Sequence, residues 1–354
     1  MLDIKFVEAT TLKEKPDPNT LGFGEVFTDY MFTMDFSKKE GWHNAQIIPY
    51  GELSLSPAAC VFHYGAEIFE GMKAYRTPDG DVQLFRPLEN IRRLNNSADR
   101  LCLPQIDEEL ALHVLTKFVE VEKDWVPSKK GTSLYLRPFL IATDAKLGLH
   151  AIDEAKYIII ASPVGSYYKE GINPVKIMIE TEDVRAVRGG TGYAKCGGNY
   201  AASNRAAARA EEKGFSQVLW LDGVERKYIE EVGAMNVMFK INGKVKTPKL
   251  IGSVLPGITR KSCIELMKSE GQDIEETFIS VDEVIDALKA GTLEEAWGCG
   301  TAAVVSPIGL LSYEGTDYVI NDGKIGTLTQ HLYDELTGIQ WGEKEDKFGW
   351  TLKV

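Results

Sequence analysis

A glycine-rich segment at Arg188–Ser203, RGGTGYAKCGGNYAAS, carries Lys195. It fits neither nucleotide motif. Lys195 follows Ala194 and precedes Cys196, which breaks the phosphate-loop pattern, and the third glycine of a dinucleotide fingerprint is absent. The glycines let the backbone approach a bulky planar partner closely. The residues leave two interpretations open: a solvated lysine among structural turns, or an amine that forms a Schiff base.

A pair of acidic residues follows further along the chain. Glu230 and Glu231 precede a small-residue turn and the apolar strand NVMF. A carboxylate in an apolar strand is costly unless a cation meets it. The protonated pyridine nitrogen of pyridoxal phosphate is one candidate cation, because enzymes with this cofactor need an acidic residue there to maintain the electron sink.

Two turns in the same half of the chain could bind a phosphate group. Ser253–Ser262, SVLPGITRKS, leads into a helix whose first N–H groups would be those of Ile258 and Thr259. Trp297–Ala303, WGCGTAA, is a Gly/Thr turn suited to holding an anion with backbone N–H groups and a hydroxyl. Each turn alone is most often structural. Together with the lysine and the carboxylate, they predict a pyridoxal phosphate site.

Composition limits the class of protein. With 354 residues, 44% hydrophobic and 26% charged, the chain is typical of a globular protein of about two domains. Forty Lys and Arg against 52 Asp and Glu give a net charge of −12, which disfavours nucleic-acid partners. No apolar run is long enough to predict a membrane span, and the first residues are not typical of a signal or transit peptide.

The cysteines and histidines predict neither a disulfide framework nor a metal site. The five cysteines are an odd number, widely spaced, without a C-x-x-C motif. The five histidines are scattered, and none lies at ligand spacing from another. A reducing cytoplasm is therefore the predicted location.

Apolar periodicity and turn residues predict a mixed α/β chain, with an α+β pattern in its first half. The predicted strands are Val26–Phe36, Asp81–Phe85, Ser133–Thr143, Lys156–Ser162, Gln217–Leu221 and Asn236–Ile241. The predicted helices are one that starts at Pro87 and those at Asp107–Trp125, Tyr200–Lys213, Thr259–Ser269, Val281–Ala290 and Thr327–Thr337. The segment 164–174, VGSYYKEGINP, has the composition of a domain connection or mobile active-site loop. The predicted domains are a small one at 1–163 and a larger one at 175–354.

The chain resembles the branched-chain amino acid aminotransferases, which are fold-type IV pyridoxal phosphate enzymes. The likeness runs nearly end to end. The segments that carry it are GFGEVFTDYMF, YGAEIFEGMKAYR, LFRPLENIRRLNNSADRLCLP, YLRPFLIATDAKLG, YAKCGGNYAAS, QVLWLDG, EEVGAMN, LPGITRKS and GCGTAA. The resemblance implies a two-domain α/β fold with the cofactor, pyridoxal 5'-phosphate, in the cleft between the domains, and a homodimer.

The resemblance also implies roles for cofactor-binding residues. Lys195 would carry the Schiff base and then move protons. Glu231, rather than Glu230, would meet the pyridine nitrogen, and Tyr200 would bond the phenolic oxygen. The residues that match phosphate contacts are Arg93, Ile258, Thr259 and Thr301.

A second group of positions matches the family's substrate site. These positions are Phe23, Tyr64, Phe69, Tyr135, Tyr167 and Ala302. Arg137 matches the arginine that receives the distal carboxylate of 2-oxoglutarate or L-glutamate. Apolar walls with one charge at the edge suit a pocket that takes both a branched chain and an acidic chain. Ala234 stands where many relatives have threonine.

The resemblance implies reversible amino transfer from L-leucine, L-isoleucine or L-valine to 2-oxoglutarate. Two alternatives are kept. One is another fold-type IV enzyme, a D-amino acid aminotransferase or an aminodeoxychorismate lyase, although those are shorter and lack the YLRPFLIATDAKLG and FEGMKAYR blocks. The other is a cofactor carrier without catalysis, which Lys195 and Glu231 argue against.

Overall fold

A computed structural model describes residues 2–165 and 172–354 of the chain. The strands are β1 (Lys5–Phe6), β2 (Tyr30–Ser37), β3 (Gly41–Pro49), β4 (Glu67–Phe69), β5 (Met72–Arg76), β6 (Val82–Phe85), β7 (Ser133–Ala142), β8 (Glu154–Val164), β9 (Val175–Ile179), β10 (Gln217–Leu221), β11 (Ile229–Val232), β12 (Asn236–Ile241), β13 (Lys244–Pro248), β14 (Ile274–Thr277), β15 (Leu293–Gly300), β16 (Val304–Tyr313), β17 (Thr316–Val319) and β18 (Thr351–Lys353). The α-helices are α1 (Val61–Tyr64), α2 (Pro87–Leu101), α3 (Glu108–Val121), α4 (Gly197–Ala201), α5 (Asn204–Glu212), α6 (Ile258–Ser269), α7 (Val281–Lys289) and α8 (Thr327–Gln340). The predicted mixed α/β class is confirmed.

The described residues divide into two compact units. Of the described residues, the first unit comprises 2–165, 194–197 and 338–354, and the second comprises 172–193 and 198–337. Residues 194–197 and 338–354, which lie in the predicted domain 175–354, belong to the first unit, and the division into domains 1–163 and 175–354 stays a prediction. The terminal strand β18 returns to pair with β6. This pairing joins strands that are far apart in the chain, so local composition does not predict it.

The sheet of the first unit has the strand order β1-β3-β2-β8-β7-β5-β6-β18, with β4 also paired to β7. The pairs are antiparallel except β1 with β3. Helix α2 has Pro87 in its first turn, where a missing N–H costs nothing, and α3 begins where the Asp107 side chain accepts the Leu110 N–H at 3.0 Å. The buried faces of both helices and the sheet form one apolar core that includes Leu94, Phe118 and Leu136.

The sheet of the second unit has the order β11-β10-β9-β16-β15-β12-β13-β14, with β17 also paired to β16. Parallel and antiparallel pairs are mixed. Helix α7 begins where Ser280 Oγ accepts the Glu283 N–H at 3.0 Å. Its apolar face, with Val284 and Ile285, joins Phe239 in the core of this unit.

Three predicted elements are shorter or broken. The helix predicted at Asp107–Trp125 ends at Val121, and a separate 3-10 turn covers Lys123–Trp125. The strand predicted from Val26 begins only at Tyr30, and the backbone just before it makes bonds outside the regular ladder, such as that from the Thr28 N–H to the Ala161 carbonyl at 3.0 Å. The helix predicted at Tyr200–Lys213 is split into α4 and α5. At the break the Ser203 N–H bonds the carbonyl three residues back rather than four. None of the described helices is long and apolar enough to cross a membrane.

Candidate active site

The backbone of Lys195 is fixed by two elements of the first unit. The Lys195 N–H donates to Ser97 Oγ on α2 at 2.9 Å, and the Lys195 carbonyl accepts the Phe69 N–H of β4 at 2.9 Å. The Ser97 hydroxyl donates in turn to the Arg93 carbonyl at 3.0 Å, and its side chain is fully buried. The backbone of Lys195 is therefore held against the C-terminal part of α2 and against β4.

The amine of Lys195 lies over an aromatic ring among other charges. Its Nζ is 4.9 Å from the centre of the Phe69 ring. Burial lowers the pKa of Lys195 to about 8, and the Arg93 and Arg137 guanidinium groups act in the same direction while Glu70 and Tyr135 oppose them. Because the neutral amine is the nucleophile, this environment suits attack on a carbonyl near neutral pH.

Arg93 and Glu70 form a buried ion pair beside the lysine. Arg93 Nε is 2.8 Å from Glu70 Oε1, Nη2 is 2.9 Å from Oε2, and Asn90 Nδ2 also donates to Oε2 at 2.8 Å. Burial is the largest single influence on Glu70 and opposes its ionisation. The Arg93 charge, the hydrogen bonds from Arg93 and Asn90 and the Lys195 charge together outweigh it and hold the pKa of the Glu70 carboxyl below its usual value. The planar guanidinium is thereby oriented by a two-point contact.

Three of the predicted substrate residues form one group with Arg137. Its guanidinium lies 4.8 Å from the centre of the Phe69 ring, and its Nη2 donates to the Tyr135 hydroxyl at 3.0 Å. Phe23 meets the Tyr135 ring edge-on at a centroid distance of 4.9 Å. A Cβ atom at Gly71 would overlap the Tyr135 hydroxyl, so glycine is needed there for this ring position. Aromatic walls thus enclose one fixed positive charge.

Two other predicted substrate residues lie outside this group. Tyr64 is 39% exposed at the end of α1, and its hydroxyl accepts the Gly148 N–H at 2.6 Å. Tyr167, with most of the predicted loop 164–174, lies outside the described residues. The described structure therefore links neither tyrosine to the Arg137 group.

In the second unit, adjacent carboxylates on β11 enter different surroundings. Glu231 is 3% exposed and lines a cleft together with Tyr200 and Ala234. Glu230 accepts a hydrogen bond from Ser253 Oγ and lines a different cleft, and burial raises the pKa of its carboxyl. Neighbouring strand residues point to opposite faces, so only Glu231 shares a cleft with Tyr200.

The Glu231 cleft has about 640 Å³ of space, part of it open to solvent, which is within the range of small-molecule sites. Its walls include apolar groups such as Trp220 and Leu255 and the polar groups of Glu231 and Tyr200. A few polar groups in a largely apolar cleft are typical of sites that orient a planar ligand.

Asn236 connects Glu231 with both predicted phosphate turns. Its Nδ2 donates to Glu231 Oε1 at 3.2 Å and to the Leu255 carbonyl at 2.9 Å. A Cβ at Gly257 would overlap Asn236 Oδ1, so the turn packs tightly where it enters α6. Ile258 and Thr259 are the first residues of α6, and their N–H groups therefore lack partners within the helix.

Only the last three residues of the second predicted phosphate turn follow β15, because Trp297–Gly300 form the end of that strand. Thr301 and Ala302 follow this strand directly and are partly buried. Strands β12 and β15 pair Asn236 with Cys299, two residues before Thr301. Thr301 thus lies near Asn236 in the sheet, and both predicted phosphate turns neighbour Asn236.

Asn236 and three further residues with evident positions in these networks were not predicted as site residues. Glu70 pairs with Arg93, Ser97 bonds the Lys195 backbone, and Arg185 forms an ion pair with Glu231 at 2.5 Å. Their contacts are with residues 23, 98 and 46 positions away along the chain, respectively. No local pattern marks them, although Glu70 lies inside the FEG segment that carries the resemblance.

Comparisons with known proteins identify the family. The family model described as amino-transferase class IV matches residues 67–311. A Bacillus subtilis (strain 168) protein, branched-chain-amino-acid aminotransferase 2, is 59% identical over 98% of this chain and 96% of its own length. The crystal structure of an Escherichia coli branched-chain amino acid aminotransferase has a TM-score of 0.76 and 25% identity, covering 91% of this chain and 98% of that one.

A further solved structure shares the fold. It is the branched-chain amino acid aminotransferase from Thermobaculum terrenum in its PLP-bound holo form, with a TM-score of 0.75 and 22% identity over 92% of this chain and 98% of that one. The family match covers well over half of the chain, and the Bacillus relative is similar along nearly all of it. The chain therefore belongs to the class IV aminotransferases, among the branched-chain-amino-acid aminotransferases.

Proposed function

We propose that this enzyme transfers the amino group of L-leucine, L-isoleucine or L-valine to 2-oxoglutarate and catalyses the reverse reaction, with pyridoxal 5'-phosphate bound to Lys195 through a Schiff base. The observation that carries the proposal is Lys195 itself: a partly buried amine with a pKa of about 8, anchored by Ser97 and Phe69. The names of the relatives supply the substrate class.

The side chains and N–H groups of this chain fit the cofactor's chemistry. The guanidinium of Arg93, the N–H groups of Ile258 and Thr259 at a helix N-terminus and the hydroxyl of Thr301 are each of a donor type that suits a phosphate dianion, and we propose that they would bind it. Glu231 is a buried carboxylate suited to a protonated ring nitrogen. When bound, the cofactor supplies an electron sink for the substrate's α-carbon.

Lys195 would transfer protons, and Tyr200 would donate a hydrogen bond to the cofactor. With a pKa of about 8, the Lys195 amine is partly neutral near neutral pH, so it can accept a proton from the substrate's α-carbon and return it elsewhere. Tyr200 lines the same cleft as Glu231, and we propose that its hydroxyl bonds the phenolic oxygen.

The Arg137 group would explain how one pocket takes two kinds of substrate. Phe23, Phe69 and Tyr135 provide aromatic surface for a branched side chain. The Arg137 charge at the edge of this surface would bind the distal carboxylate of 2-oxoglutarate or L-glutamate. We propose that Ala302 and Tyr167 complete the pocket.

We propose a cytoplasmic homodimer, and an exposed apolar patch supports the dimer. Phe62 on α1, Leu147 and Leu149 are 61%, 65% and 88% exposed, and the Gly148 bond to Tyr64 ties the two segments together. Exposed large apolar side chains grouped on linked segments are typical of a protein interface. A second copy would cover it and bring Tyr64 to the partner's pocket.

Leu149→Asp should yield monomers in sedimentation, whereas Val319→Asp, also at an exposed position, should not.

The test of the activity is a single half-reaction followed by visible absorbance. L-leucine without an oxo acid should bleach the band of the lysine-bound cofactor, and 2-oxoglutarate should restore it. Bleaching by D-alanine but not by L-leucine would favour the D-amino acid aminotransferases. A protein that binds no added pyridoxal phosphate would overturn the proposal.

The attachment site can be mapped separately. Lys73 is a matched comparison because burial lowers its pKa to about 8 as well. Borohydride reduction should fix the cofactor on the peptide that contains Lys195. Recovery on the Lys73 peptide would contradict the assignment, and Lys195→Ala should lose amino transfer by orders of magnitude.

A further inference from the structure

The Arg185 guanidinium joins Glu231 to two other segments of the second unit. Its Nη2 lies 2.5 Å from Glu231 Oε2, and the side chains are 8% and 4% exposed. The same nitrogen lies within hydrogen-bond distance of the Gly192 carbonyl (3.0 Å) and the Ser253 carbonyl (2.7 Å). One buried cation therefore contacts the carboxylate, the glycine-rich turn before Lys195 and the turn before α6.

These segments approach each other too closely for larger residues. A Cβ atom at Gly192 would overlap the Ser253 carbonyl and the Ala186 side chain. Gly192 precedes Lys195 by three residues, and Ser253 precedes Ile258 by five. The contacts of Arg185 thus fix Glu231 relative to segments that lead to other predicted cofactor residues.

The charge of Arg185 also bears on the protonation of Glu231. Burial by itself favours the neutral form of a carboxyl group, whereas a nearby positive charge favours the ionised form. A guanidinium stays protonated in proteins, so its contribution does not change with pH. The second oxygen, Oε1, accepts a bond from Asn236 at 3.2 Å, and a carboxylate oxygen can accept more than one hydrogen bond.

We propose that Arg185 is a positioning residue for amino transfer: it holds Glu231 ionised and fixed in its cleft, so that the carboxylate stabilises a protonated ring nitrogen. This inference rests on the proposed function. A protonated Glu231 would have no negative charge to offer to that nitrogen. Arg185 acts through Glu231 rather than on the substrate.

A purely structural role for Arg185 makes a different prediction. If the side chain only ties the turns together, its replacement should weaken every ligand of the cleft alike. If it acts through Glu231 on the ring nitrogen, its replacement should weaken only ligands that have that nitrogen. The two roles are separated by comparing pyridoxal phosphate with an analogue that has a carbon atom in place of the ring nitrogen.

The experiment measures dissociation constants of both ligands for the wild type, Arg185→Gln and Arg185→Lys. Arg188→Gln is the matched control, because Arg188 is an exposed arginine of the same segment. We expect Arg185→Gln to weaken pyridoxal phosphate binding about tenfold or more, a change of about 1.4 kcal/mol or greater. The analogue should bind all variants alike, and Arg185→Lys should restore part of the loss.

Equal losses for both ligands, or no loss for either, would overturn the role of Arg185 and leave the proposed function standing. A wild type that binds neither ligand would overturn the proposed function itself. If Arg185→Gln does not fold, Arg185→Lys is compared in the wild-type and Glu231→Gln backgrounds. We expect Arg185→Lys to have no effect on cofactor affinity in the Glu231→Gln background, where residue 231 is already neutral. If the effects of the two substitutions on affinity are additive, the proposal is contradicted.

Discussion

Glu70 meets Arg93 in a two-point ion pair, with Nε 2.8 Å from Oε1 and Nη2 2.9 Å from Oε2. The two side chains are only 1% and 7% exposed. Removal of one partner would leave a buried charge uncompensated, which typically costs about 3–5 kcal/mol. We therefore expect Glu70→Gln to lower the free energy of unfolding by about 3 kcal/mol or more in urea denaturation.

The matched control for this variant is Glu89→Gln, because the Glu89 carboxylate is 28% exposed and lies 3.8 Å from its arginine. A more exposed and longer ion pair contributes less, so this change should cost at most about 1 kcal/mol. Equal effects of the two substitutions would contradict the importance of the buried pair.

The reactivity of Lys195 should follow its lowered pKa. With a pKa of about 8, the amine of the cofactor-free protein should react with pyridoxal at a rate that rises with pH and levels off above about pH 9. Trapping with borohydride followed by peptide mapping measures this rate at Lys195 alone. Exposed lysines should still gain reactivity above about pH 9, and the same behaviour at Lys195 would contradict the prediction.

Glu70 should also shift that pH dependence. Its negative charge raises the pKa of Lys195 and so opposes the effect of burial and of Arg93. Glu70→Gln should therefore move the midpoint of Lys195 reactivity to lower pH. An unchanged or higher midpoint would show that Glu70 does not act on the lysine.

Two adjacent glycines should respond differently to alanine. The Gly197 N–H donates to Glu67 Oε1, and a Cβ at Gly197 would overlap that oxygen, whereas a Cβ at Gly198 would meet nothing within 4 Å. Gly197→Ala should cost roughly 1–3 kcal/mol of unfolding free energy because Glu67 must shift. Gly198→Ala should be neutral or stabilise α4 by up to about 1 kcal/mol. Urea denaturation of both variants measures the difference, and similar midpoints would contradict it.

Glu122 should make the protein less stable as the pH rises. Burial raises the pKa of its carboxyl from 4.5 to about 7, although it accepts the Tyr30 N–H at 2.6 Å. Because the folded state binds this proton more tightly than the unfolded state, its contribution to stability is greatest below pH 4.5 and is lost as the pH rises to about 7. Glu122→Gln keeps an acceptor for Tyr30, so it should reduce this loss between about pH 5 and 8. Thermal unfolding of both proteins across that pH range measures this difference. If the melting temperature falls with pH equally in the variant and the wild type, Glu122 is not the group responsible.

Replacement of Arg137 should reduce activity with an acidic oxo acid more than with a branched, apolar one. Arg137→Gln removes the charge beside Phe69 and Tyr135, so kcat/KM for 2-oxoglutarate should fall at least about tenfold more than kcat/KM for 4-methyl-2-oxopentanoate. Arg76→Gln is the control, because Arg76 bonds backbone carbonyls such as that of Val126. Equal losses for both oxo acids would assign Arg137 a structural role instead.

The sequence by itself determined much of the chemistry. Lys195 among glycines, the acidic pair and the two turns predicted a pyridoxal phosphate enzyme, and the long motifs identified the family that the comparisons confirmed. Most of the described helices were also predicted, because local apolar periodicity follows the helical period, but only six of the 18 described strands were predicted.

Only the tertiary structure decided which groups act on those residues. Ser97 binds the Lys195 backbone, Glu70 orients Arg93, and Arg185 meets Glu231, although each pair is widely separated in the chain. The fold likewise put Glu231, and not Glu230, in the cleft that Tyr200 lines, and strand pairing returned β18 to the first sheet. The physical reason is that protonation and orientation depend on burial and on charges brought near by long-range packing, which local sequence patterns do not encode.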